Sequence, residues 1–147
     1  MKNFFLIALS SFIFSFVQAQ DLSREQVPSV VLNNFDSQFP KAMDVEWEKK
    51  GDLFKVDFET DRHTDHNVWY DASGDLVKHE KDIAKSELPA AVLSRIQTDF
   101  KGYNLDDIEM VTTREGTQYE VELDAVFKQE WKVILDEKGG IIRKVAD

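Results

Sequence analysis

One segment of this chain occurs twice, and that repeat constrains the fold more than any other feature. Residues 27–39, Val-Pro-Ser-Val-Val-Leu-Asn-Asn-Phe-Asp-Ser-Gln-Phe, return at 88–100 as Leu-Pro-Ala-Ala-Val-Leu-Ser-Arg-Ile-Gln-Thr-Asp-Phe. Apolar side chains recur at every fourth position: Val27, Val31, Phe35 and Phe39, then Leu88, Val92, Ile96 and Phe100. This spacing places each set of four on one stripe of a helix. Pro28 and Pro89 suit a first helical turn, where no N–H is needed and φ is already right. The pattern predicts helices from Pro28 to Phe39 and from Pro89 to Phe100. Pro40 stops the first, because it cannot continue the hydrogen-bond ladder.

Strand period follows each helix. Val45 to Glu48 and Phe54 to Glu59 alternate apolar with charged residues, and Asn67 to Tyr70 and Leu76 to Glu80 flank the turn Asp71-Ala-Ser-Gly74-Asp75. The second copy repeats the order with Ile108 to Met110, Tyr119 to Leu123, Trp131 to Leu135 and Ile141-Ile142, the last two flanking Asp136 to Gly139. Val27 corresponds to Leu88, Val45 to Ile108 and Phe54 to Tyr119, so the offset grows twice, each time at an expected turn. The expected fold is α+β, with two tandem units at 27–83 and 88–147. Each unit is one helix packed on a four-stranded antiparallel β-sheet. Units of about 60 residues bury little alone and are marginal, so the two are expected to share a core or a continuous sheet.

Residues 1–19 stand apart. Lys2, the apolar run Phe4 to Val17 and the Val17-Gln18-Ala19 ending read as a secretory signal peptide. Mature protein is then expected to begin at Gln20, soluble and either periplasmic or secreted. Removing Lys2 from the 18 basic residues leaves 17 against 28 acidic ones, a net charge of −11. That balance argues against nucleic acid or an anionic membrane as partner, since phosphate binding needs Lys/Arg patches. It favours a protein partner with a basic surface and permits a divalent cation. Cysteine is absent, so stability must come from packing.

The Leu-Pro-Ala-Ala-Val helix closing on Phe100, the Tyr119-x-Val121-x-Leu123 strand and the Asp-x-x-Gly hairpin followed by two aliphatics resemble the PepSY-like family of secreted bacterial proteins, also described as β-lactamase-inhibitor-like. The resemblance covers residues 27–147 and rests on structural motifs. It implies a periplasmic, non-enzymatic protein of two tandem helix-on-sheet units, with inhibition of an enzyme suggested by analogy. The chain departs from the pattern at Trp69-Tyr70 in a third strand, and at Lys101-Gly102, where proline is usual.

No catalytic residues are expected. With no Cys and all three His in the first copy, neither a Ser/His/Asp nor a Cys/His set can form. Asp61, His63, Asp65 and His66 crowd one segment, but Arg62 sits among them and a solvated loop accounts for the set. Asp71, Ser73 and Asp75 fall at alternating positions, as calcium ligands do. Gly74 is misplaced for that loop, and a hairpin turn explains the spacing; these three are nonetheless the candidate metal ligands, with calcium the candidate ion. The solvated face carries Glu46, Glu48, Asp57, Glu59, Glu109, Glu120 and Glu122. Against it Trp69 and Ile134 are apolar at equivalent positions, the composition of an interface anchor with a polar rim. The candidate partner-binding residues are therefore Trp69, Ile134, Glu120 and Glu122 on the face, with Val126 and Phe127 in a hairpin loop as the rival anchor.

Overall fold

The computed structural model describes residues 20–61 and 63–146. The leader expected over residues 1–19 lies outside the described residues. A single 3-10 turn at Arg24–Gln26 leads into α1 (Ser29–Gln38), with Pro28 as its N-cap and Phe39 closing it through N–H to Phe35 C=O at 2.8 Å. The second copy repeats this with a turn at Lys85–Glu87 and α2 (Ala90–Asp99), capped by Pro89 and Phe100. In each lead-in turn a side chain three residues on holds the first N–H: Ser23 N–H donates to Gln26 Oε1, and Ala84 N–H to Glu87 Oε2.

The strands are β1 (Gln20–Leu22), β2 (Met43–Lys50), β3 (Leu53–Thr60), β4 (Thr64–Tyr70), β5 (Leu76–Asp82), β6 (Asn104–Thr113), β7 (Gly116–Asp124), β8 (Trp131–Asp136) and β9 (Ile141–Ala146). They form one antiparallel sheet in the order β1 through β9. This corrects the expected fold class, which placed each helix on its own four-stranded sheet. Two ladders make the difference. β1 adds a strand by pairing Gln20–Leu22 with Trp47–Lys49. β5 pairs with β6 from Lys78–Thr113 to Asp82–Glu109, and Ile83 N–H continues the ladder to Ile108 C=O at 2.9 Å. Two separate sheets would leave the N–H and C=O groups of β5 and β6 without partners, and pairing them satisfies both edges at once.

Both helices cover one face of this sheet, over two apolar clusters. The first joins Val27, Val31 and Phe35 to Trp47, Phe54, Val56, Phe58, Val68 and Tyr70. The second joins Leu88, Val92, Ile96 and Phe100 to Ile108, Tyr119, Val121, Leu123, Val133 and Leu135. The strand phase read from the sequence therefore points the right side chains inward. One boundary differs. Thr64–His66, expected as loop, is the start of β4, and His66 continues the inward phase of Val68 and Tyr70.

Candidate functional site

Trp69 and Ile134 lie on the face away from the helices, alternating with buried Val68 and Tyr70 and with buried Val133 and Leu135. They sit on β4 and β8, four strand spacings or about 19 Å apart, so they do not form one patch. Trp69 is also covered. Lys78 Nζ lies 3.7 Å from its ring centroid and Lys55 Nζ lies 5.5 Å away, from the two flanking strands.

Those lysines are part of a pattern that sequence reasoning missed. Lys50 pairs with Glu48 at 2.9 Å, Lys55 with Asp57 at 2.6 Å and Lys78 with Glu80 at 2.7 Å. Lys132 takes both Glu120 at 2.7 Å and Glu122 at 3.0 Å, and the two carboxylates push its ammonium further towards the charged form. The face is thus not the uniformly acidic surface that alternation suggested, and Glu120 and Glu122 are already paired.

Acidity concentrates instead between β2 and β6, in a shallow depression of about 520 Å³ lined by Glu46, Asp57, Asp65, Asn67, Asp82 and Glu109. Burial, then the charges of Glu80, Glu120, Asp82 and Asp107, push Glu109 up to about 7. Burial, with Asp107 and Asp65, also raises Asp82. The value of about 7 puts proton exchange at Glu109 near neutrality. Because the folded value exceeds the unfolded one, ionised Glu109 removes stability as pH rises through about 7. Glu109→Gln should raise the melting midpoint at pH 8 and change it little at pH 5. A lower midpoint at pH 8 would discard the crowded-carboxylate account.

Asp71, Ser73 and Asp75 form the β4–β5 turn. Asp71 Oδ1 accepts from Ser73 N–H at 2.9 Å and Asp75 N–H at 3.0 Å, while Arg114 stands 3.4 Å from both aspartates. In the second copy Asp136 Oδ1 accepts from Lys138 N–H and Gly140 N–H in the same way, although Lys138 replaces the serine. A turn that keeps its bonds with lysine in it has a structural reason for its aspartate. Among the described residues no three His, Asp or Glu side chains are arranged to hold a metal ion. The crowded 61–66 segment is dispersed: Asp61 meets Lys41 at 3.2 Å, His63 meets Glu59 at 3.0 Å, and His66 turns inward.

Val126 and Phe127 are brought together, at the tip of the β7–β8 hairpin. The equivalent β3–β4 hairpin is tight, with Thr60 paired to Thr64. In the second copy the β7–β8 pairing ends at Leu123–Trp131, and residues 126–130 of the segment between are exposed, with Lys128 folded back over the Tyr103 ring at 5.1 Å. Val126 is 76% exposed and Phe127 103%. Phe127 has φ 63, and His63 has φ 55 in the shorter hairpin, so the turn accounts for the backbone. It does not account for an aromatic side chain there, where Gly or Asn is least strained.

The chain belongs to the family described as "Putative beta-lactamase-inhibitor-like, PepSY-like", which matches residues 15–78 and 53–143. Three solved structures share its fold. A BLIP-like protein from Bacteroides fragilis NCTC 9343 is 20% identical with a TM-score of 0.68, covering 81% of this chain and 85% of that one. A DUF2874 family protein from Bacteroides uniformis ATCC 8492 is 21% identical at TM-score 0.70, covering 81% and 88%. A protein from Bacteroides eggerthii DSM 20697, described among "putative periplasmic proteins", is 18% identical at TM-score 0.71, covering 82% and 88%. No curated protein matches the chain.

Proposed function

We propose that this protein is a non-enzymatic binding module of the periplasm or the secreted space. It engages a protein partner by inserting the β7–β8 tip, Val126 and Phe127, into an apolar cleft with a basic rim. The carrying observation is the wholly exposed phenylalanine ring at a hairpin tip beyond the end of the β7–β8 ladder. An aromatic side chain in water contributes nothing to the fold, yet it recovers about 1.5–3 kcal/mol when a partner buries it. Asp106, Asp124 and Glu130 lie at the base of the hairpin, which supports a basic rim on the partner. If the cleft is an enzyme's active site, the module is an inhibitor; the family description and the BLIP-like neighbour are in keeping with that version. The leader expected over residues 1–19 and the neighbour described as periplasmic support the compartment.

A photo-crosslinking residue at position 127 should capture a partner from a periplasmic extract, whereas the same residue at Trp69 should not. With that partner in hand, Phe127→Ala should weaken binding by about 2 kcal/mol or more, roughly 30-fold, as interface hot spots do, with an unchanged melting midpoint. Trp69→Ala is the control for the open face. If Trp69→Ala alone weakens binding, the sheet face and not the hairpin is the site.

A further inference from the structure

Three polar side chains occupy the helix-covered face where its neighbours are apolar. Thr60 on β3, His66 on β4 and His79 on β5 form a chain: Thr60 Oγ1 to His66 Nε2 at 2.9 Å, and His66 Nδ1 to His79 Nε2 at 2.9 Å. Aromatic rings hold it from both sides. Phe58 stacks on His66 at 4.8 Å and 7°, while Phe39, which closes α1, stands edge-on to His79 at 5.4 Å and 4.8 Å from Phe58. His79 is the register partner of Thr112 on β6. The chain therefore lies where the first apolar cluster ends and the ladder to the second half begins.

We propose that the Thr60–His66–His79 chain is an acid-sensitive latch, which at neutral pH holds the end of α1 and the β5–β6 seam and on proton uptake releases them. Two neutral imidazoles supply one N–H and one lone pair to the 2.9 Å contact. A first added proton places a charge among Phe39 and Phe58 and beside Lys81, which repels it. Asp65 is the one carboxylate that favours a charged His66, and it acts through the sheet. A second proton would set two N–H groups against each other across the contact and break it. Elsewhere around the site Lys81 is engaged by Glu87 at 3.4 Å, and β6 presents Met110 and Thr112, which carry no charge.

Burial, followed by Lys81, lowers His66; burial, then His66 and Lys81, lowers His79 to about 4. Since both folded values lie below the unfolded one, the stability held by the neutral pair is complete above about pH 6.5 and is lost as pH falls towards about 4. Glu109 and Asp82, both raised by burial, act in the opposite sense over part of this range, so the test is made in a Glu109→Gln background, with Asp82 common to both variants compared.

In that background the melting midpoint should fall by at least about 5 °C between pH 7 and 4.5. Amide exchange at Phe39 and Ala42 and across Glu80–Asp82 should accelerate before the rest of the sheet. His79→Gln, which keeps a donor and an acceptor for His66, should flatten the fall. A flat midpoint, or an equal slope in His79→Gln, would overturn the proposal. Should His79→Gln not fold, imidazole NMR on the unmutated protein decides: His66 and His79 should both titrate below the ordinary histidine value, and a titration of either at that value would overturn the latch.

Discussion

Replacing Phe58 or Leu123 by alanine should each cost about 2–5 kcal/mol, as large-to-small core changes do. The two residues occupy equivalent places, on β3 under α1 and on β7 under α2, and are 3% and 1% exposed. Phe58 meets Phe35 edge-on at 5.2 Å and also stacks on His66, so its loss opens a cavity and loosens a polar neighbour together. The adjacent Glu59→Ala and Glu122→Ala, on the opposite face, should stay within about 0.5 kcal/mol. Urea denaturation of the four variants checks this. Equal costs on both faces would mean that the strand phase, and every inward assignment built on it, is off by one residue.

The second large effect is expected at Gly139, in the β8–β9 turn. Its φ is +80, and a Cβ there would lie 2.6 Å from the Ala91 carbonyl oxygen on α2. Gly139→Ala must strain the turn and push the hairpin off the helix backbone, for an expected cost of about 2–5 kcal/mol. The counterpart Gly74→Ala meets Asn34 Nδ2 at 2.8 Å, the far end of a side chain that can swing away at the loss of its bond to Gly74 C=O, and stands further from the helix backbone, 3.2 Å from Val30 C=O, with Val30 Cγ2 at 3.0 Å. It should cost clearly less. Thermal melts of the two variants compare a backbone contact at 2.6 Å with one at 3.2 Å; equal losses would show that positive φ alone sets the cost.

What the sequence made legible is what a local period can encode. The helix stripes and the inward strands were readable because Val31, Phe35, Val56, Val68 and their counterparts each sit in a run whose spacing has one meaning. β5 was readable as a strand, and a continuous sheet was one of the two arrangements expected, but from Lys78 to Asp82 it is polar on both faces, so nothing local marks it as the join between the halves. β1, at Gln20–Leu22, is too short to show a period at all. Cross-strand partners were equally invisible. Lys132 reaches Glu120 and Glu122, and Lys78 covers Trp69, through registers that no single strand records. His66 meets His79 because β4 and β5 slip past one another at the bulge between Trp69 and Tyr70. Val126 and Phe127 stood out in the sequence as apolar residues in a loop, but their full exposure depends on where the β7–β8 ladder stops.

The strand order has a consequence for how the chain assembles. Every strand pairs with its neighbours in sequence, so most ladders close over a tight turn, and short loops close at small entropic cost. Only two closures are long, β1 onto β2 across α1 and β5 onto β6 across α2. The hairpins can therefore zip early and independently, while the β5–β6 closure must wait for α2 to settle over its own strands. Non-local pairing of this kind is the slow part of sheet assembly. Until it forms, β5 and β6 are bare edges open to other chains, so the join between the halves is also where a nascent molecule of this protein is most exposed to mispairing.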